Sequence, residues 1–181
     1  MRIRNTPEHF GIITKILHWL IAVLIIGLIG LGWWMVDLSY YDRLYNTSLH
    51  WHKSLGMVVL GLGLMKIAWQ LYTPVPGPAG LKKPVICTAA TVVHIILLLG
   101  MVLIPVTGYL ISSSDGKAVE IFDWFAVPSV VSGREGLRDI AINVHFWLSY
   151  CTTALVIGHI SAAFKHQFID HDGTLSRMLW K

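Results

Sequence analysis

Charge is scarce in this chain. Asp, Glu, Lys and Arg make up 13% of its 181 residues, where a soluble domain carries roughly 25%. A water-exposed surface over most of the chain is therefore excluded. Cysteine is scarcer still. Cys87 and Cys151 both fall inside apolar runs, and neither belongs to a C-x-x-C-H haem-attachment pattern or a zinc spacing. Buried, unpaired thiols are the expectation. There is no Ser-His-Asp order and no phosphate-binding glycine loop. Dyad alternation, the mark of a membrane barrel, is missing. Internal repeats and low-complexity segments are missing too, which points to one domain over residues 1–181.

Apolar sequence is abundant. The chain is 55% hydrophobic with eight Trp, and its mean hydropathy is +0.63. Four long apolar stretches cover about residues 12–36, 50–71, 85–112 and 140–165. Each exceeds the ~20 residues needed to cross ~30 Å of hydrocarbon. Lipid cannot satisfy backbone polar groups, so the spans must be helices. The first is too long for a signal-peptide core and no small-residue cleavage site follows it, so it reads as a retained helix. The fold class is an all-α membrane protein, a four-helix transmembrane bundle.

Four spans place both termini on one side. Arg2, Arg4, Lys15, Lys66, Lys82, Lys83, Lys165, Arg177 and Lys181 lie there, nine of the fourteen Lys and Arg. Arg43, Lys53, Lys117, Arg134 and Arg138 lie opposite. The positive-inside rule then makes both termini cytoplasmic. The longest connection, Ser113–Asp139, faces outward. Its segment "IFDWFAV" reads as a short amphipathic piece at the membrane surface.

Nine histidines are present. His9 and His171 lie outside the apolar runs. An ionisable group at membrane depth is expensive and normally faces the bundle interior. His145 and His159 share the fourth span, fourteen positions apart. That spacing is ~21 Å of helix rise, and it returns to within ~40° of the same azimuth. His52, near the outer start of the second span, is level with His145. His18, near the inner start of the first, is level with His159. Two facing imidazoles inside a bundle suit a flat iron macrocycle. With both axial positions filled, such an iron serves electron transfer. Gly27, Gly30, Gly32, Gly56, Gly61, Gly63 and Gly158 offer room for the planes. Zinc would need three or four convergent ligands. Polar helix packing and a transporter or proton relay are the other readings of spacing alone.

The residues resemble the bacterial cytochrome b561 family of four-helix di-haem proteins. The resemblance runs through "LHW" at Leu17–Trp19, "HKSLG" at His52–Gly56, H-x10-P-x-x-G from His94 through Pro105 to Gly108, the paired histidines of the fourth span, and "HDGTLSRM" at His171–Met178. It covers nearly the whole chain. The pattern is also similar to the b-type cytochrome subunits of formate dehydrogenase and nickel-iron hydrogenase. The resemblance implies two haem b groups, the inner held by His18 and His159, the outer by His52 and His145. It favours His52 over nearby His50, because Lys-Ser-Leu-Gly follows the family's ligand. Lys66, fourteen positions after His52, is level with the inner haem. It can pair with a propionate there or snorkel to the surface. His94 is the candidate for a quinone pocket at the inner haem, with Lys165 and His166 near the same region.

The function implied is that of a bacterial inner-membrane, multi-pass electron carrier. Closely similar members are superoxide oxidases, taking electrons from periplasmic superoxide and passing them to ubiquinone. A cytochrome subunit anchoring a periplasmic dehydrogenase or hydrogenase is the alternative, and a non-redox transporter or structural protein the third. The implied partners are lipid, quinone and a periplasmic redox donor, with no nucleic acid. Five acids against three bases give the Ser112–His145 stretch a formal charge of −2. Attraction of an anion would thus rest on a local patch, with Lys53, Arg134 and Arg138 as candidates.

Overall fold

A computed structural model describes residues 2–79 and 83–179. Lys82 and Lys181, two of the nine cations expected on the side of the termini, lie outside the described residues. The elements are α1 (Ile12–Met35), α2 (Tyr45–Tyr72), α3 (Pro84–Ser113), β1 (Val119–Ile121), β2 (Phe125–Val127) and α4 (Leu137–Phe168), then a 3₁₀ turn at Ser176–Met178. The four helices have 24, 28, 30 and 32 residues, and each is long and apolar enough to cross a membrane.

Local chemistry sets the helix ends. Gly11 precedes α1 in extended conformation. A Cβ there would lie 2.5 Å from the carbonyl carbon of Arg4 and the carbonyl oxygen of Ile3, so only glycine lets the N-terminal segment fold against α1. Asn5 secures that segment. Its Oδ1 accepts from Gly11 N at 2.8 Å and Thr14 Oγ1 at 2.7 Å, and its Nδ2 donates to Pro74 O at 3.0 Å. Thr73 ends α2 in extended geometry, the conformation that Pro74 imposes on its predecessor. Pro84 opens α3, where a missing N–H costs nothing. Asp139 lies in the first turn of α4, where a carboxylate complements the helix dipole.

Ile21, Val59 and Met101 form the buried core, with Leu24, Ile25, Leu28, Leu62 and Leu98 against them. This layer joins α1, α2 and α3. Among the described residues, the helices pack closely in chain order, α1 on α2, α2 on α3 and α3 on α4. Helix α4 stands off from α1 and α2. Large apolar side chains such as Val23, Ile26, Leu64 and Ile157 are exposed, as suits a lipid-facing surface.

Two features differ from the sequence reading. The segment "IFDWFAV" is a β-hairpin, with Val119 opposite Val127 and Ile121 opposite Phe125. Its three-residue loop holds Phe122 at φ 50° and Asp123 at φ 60°, and Trp124 N donates to Ile121 O at 3.0 Å to close the turn. Val119 and Ile121 are buried and β1 packs on α2. Fully buried Ser54 clamps it, accepting from Phe122 N at 3.1 Å and donating to Glu120 O at 3.4 Å. The cysteines are free, but neither is buried: Cys87 is half-buried and Cys151 exposed.

Candidate functional site

Helix α4 carries His145 and His159 toward the gap that separates it from α1 and α2. His159 meets His18 of α1 with ring centres 6.4 Å apart and planes at 63°. His145 meets His52 of α2 at 6.3 Å and 72°. Metal–imidazole bonds are ~2 Å long and a ring nitrogen lies ~1.2 Å from its ring centre, so two imidazoles trans on one metal have centres about 6.4 Å apart. Both pairs match that separation.

The imidazoles of the His52–His145 pair are fitted closely. A Cβ on Gly32 would lie 3.2 Å from His52 Cε1, and one on Gly108 would lie 3.3 Å from His145 Cε1. Gly63 has a different role from the one expected of it, since a Cβ there would meet Met101 at 3.2 Å. Gly27, Gly30, Gly56, Gly61 and Gly158 face open space. The imidazole of His145 is held at Nδ1, 3.0 Å from both Thr107 Oγ1 and Ile104 O. His52 Nδ1 is buried without a hydrogen-bond partner.

At the level of the His18–His159 pair, His94 of α3 packs edge-on against His159 with ring centres 5.2 Å apart and planes at 71°. That is too close for a metal between trans rings, so His94 neighbours the pair without duplicating it. Lys66 lies within electrostatic reach of His18 and His94, at the depth its spacing indicated. Trp19 packs edge-on against His18 at 5.3 Å. Its indole N–H donates to Met178 O at 2.9 Å, and Lys15 donates to Leu179 O. Arg177 donates to Gly77 O and Glu8 O. The C-terminal tail is thereby laid across the end of the bundle that carries His18.

Lys165 and His166, in the last turn of α4, anchor the start of that tail. Lys165 Nζ donates to both Asp170 oxygens at 2.7 and 2.6 Å. His166 Nδ1 lies 2.8 Å from Asp170 and 3.1 Å from Asp172. The Lys165 hydrogen bond, then its charge and that of His166, holds the Asp170 carboxyl below the ordinary carboxylate range. Among the described residues, the groups able to gather three metal-ligating side chains are His166–Asp170–Asp172 and His50–Glu120–Asp123. Neither includes a paired histidine, and neither paired site offers zinc a third ligand.

On the hairpin side, Lys53 lies within electrostatic reach of Lys117, Arg138 and Asp115, and Arg138 pairs with Asp115 at 3.6 Å. Lys53, which follows His52 in sequence, thus lies near Lys117 and Arg138, with Asp115 among them. The sequence gives no role to Thr107, places Lys117 only among the cations opposite the termini, and does not bring His94 to His159. The quoted P-x-x-G run, which encloses Thr107, was the available signal.

The profile of the prokaryotic cytochrome b561 family matches residues 9–181. Cytochrome b561 homolog 2 of Escherichia coli (strain K12) is 40% identical over the full chain and 96% of its own length. The probable superoxide oxidase CybB of Yersinia pestis is 27% identical, covering 91% of this chain and 92% of its own. Cytochrome b561 homolog 1 of Escherichia coli (strain K12) is 25% identical, covering 90% and 92%. With four membrane-crossing helices and a match over nearly its whole length, the chain belongs to the prokaryotic cytochrome b561 family and is a multi-pass inner-membrane electron-transfer protein.

Proposed function

We propose that the chain holds two haem b groups and moves electrons from periplasmic superoxide to ubiquinone. Family membership implies haem b. The observation that carries the number two is the pair of matched imidazole separations, 6.4 Å for His18–His159 and 6.3 Å for His52–His145. Held between two imidazoles, haem b would supply one-electron transfer rather than dioxygen binding.

The chain's own residues then have distinct tasks. The excess of Lys and Arg on the terminal side supports cytoplasmic termini, with His52 and His145 toward the periplasm. Lys53, Lys117 and Arg138 give an anion a local attractive field there, against the −2 charge of the surrounding stretch. Each superoxide releases one electron and leaves as dioxygen. Two electrons and two protons convert ubiquinone to ubiquinol. His94, beside His159, can pass a proton to a quinone oxygen, and Lys66 supplies a cation for a haem propionate. The 27% identity to a probable superoxide oxidase supports the choice of donor.

The test is superoxide-driven haem reduction in the purified protein, with and without added ubiquinone. Both haems should reduce, and ubiquinone should reoxidise them. If both are present but neither responds to superoxide, the donor assignment falls and the dehydrogenase-anchoring reading replaces it.

A further inference from the structure

The His52–His145 pair is not symmetric. His145 Nδ1 lies 3.0 Å from Thr107 Oγ1 and 3.0 Å from Ile104 O, while Thr107 Oγ1 donates to Ile104 O at 2.8 Å. A carbonyl oxygen only accepts, and threonine has one hydroxyl hydrogen. Ile104 takes that hydrogen. Both oxygens facing Nδ1 are then acceptors, so Nδ1 must carry the proton. A bare Nδ1 would set a lone pair against the Ile104 carbonyl at 3.0 Å. The lone pair of His145 therefore resides on Nε2, the form in which an imidazole binds a metal with its other nitrogen engaged.

Helix α3 is shaped for this contact. Pro105 stands inside it and makes the Ile104 carbonyl part of a tertiary amide. Gly108 brings the backbone up to the ring, where a Cβ would lie 3.3 Å from Cε1 and 3.5 Å from Nδ1. Thr107 itself is buried. His52 has no counterpart, because its Nδ1 finds no hydrogen-bond partner.

We infer that Thr107 is a positioning residue for the His52–His145 haem: together with the Ile104 carbonyl it holds the Nδ1–H tautomer and ring rotation of His145, and thereby that haem's potential. The inference rests on the two-haem reading above. An acceptor on Nδ1–H increases the basicity of the metal-bound nitrogen, which stabilises the ferric state. The rotation sets the angle between the two ligand planes, 72° here, and the ferric low-spin electron paramagnetic resonance signal depends on that angle.

The experiment compares the holoprotein with Thr107→Val, which keeps the shape and removes the hydroxyl, and Thr107→Ser, which keeps the hydroxyl. Haem content, the ferric resonance spectrum and a redox titration are measured on each, with His52→Ala identifying the signals of this haem. Thr107→Val should move the resonance of the His52–His145 haem and raise its midpoint potential, leaving the other haem unchanged, and Thr107→Ser should match the parent. Loss of only this haem in Thr107→Val, with retention in Thr107→Ser, supports the same role. An unchanged signal and potential in Thr107→Val with both haems bound overturns the inference while sparing the two-haem reading. A parent protein without two haems overturns both.

Discussion

Alanine at position 32 should crowd the His52 imidazole, and the effect can be sized against a matched control. The new Cβ would lie 3.2 Å from Cε1 of His52, about 0.3 Å inside the ~3.5 Å at which carbon atoms pack comfortably. The ring is confined on its far side by His145, so it cannot simply retreat. Overpacking of this kind costs about 1–3 kcal/mol. Gly27 lies on the same helix, and a Cβ there meets nothing within 4 Å. Both substitutions gain the same ~0.5–1 kcal/mol from replacing glycine in a helix, so comparing the variants isolates the crowding. That difference corresponds to a roughly 5- to 150-fold weaker hold on the haem at the His52 pair. The assay is haem content by pyridine haemochrome, with thermal unfolding in detergent beside it. Gly27→Ala should keep full haem and unfold slightly later than the parent. Gly32→Ala should lose haem from one site and unfold earlier than Gly27→Ala. Equal haem content and equal unfolding temperature in the two variants would refute the idea that glycine is needed behind His52.

Further outcomes follow from other parts of the fold. Ser54→Ala strips Phe122 N of its partner at 3.1 Å and should cost about 1–3 kcal/mol, read as faster amide exchange in the hairpin at residues 119–127. His94→Phe should leave haem content intact and slow ubiquinone-dependent reoxidation about 10²-fold, the scale of a lost general acid. Asp170 is held below the ordinary carboxylate range by Lys165. Its contribution to tail docking is therefore complete above about pH 4 and lost as pH falls further. Amide exchange over residues 170–179 should rise on that acidification, and Asp170→Asn should abolish the pH dependence.

The spans and the histidine pairs were legible because each rests on a simple period or length. Fourteen residues of helix return to one face, and twenty-odd apolar residues cross a bilayer. Helix α2 begins at Tyr45 rather than near His50, because Asn46, Thr47 and Ser48 are polar and hydropathy does not register them. Ser48 satisfies its hydroxyl on Tyr45 O at 2.9 Å and turns helically all the same. The hairpin escaped notice because its turn uses Phe122 and Asp123, without the Asn-Gly or Asp-Gly signal typical of such turns. Thr107 and Lys117 act through contacts between segments distant in sequence, which no local pattern encodes. His94 was placed near the inner level by its position in α3, but its contact with His159 depends on how α3 lies along α4.

Haem content of the four single variants His18→Ala, His159→Ala, His52→Ala and His145→Ala tests the central claim most directly. The parent should bind two haems per chain and each variant one. Redox titration should show that the first two variants keep one and the same haem, and the last two the other. A parent with a single haem, variants that all retain two, or a different pairing of the losses would contradict the account.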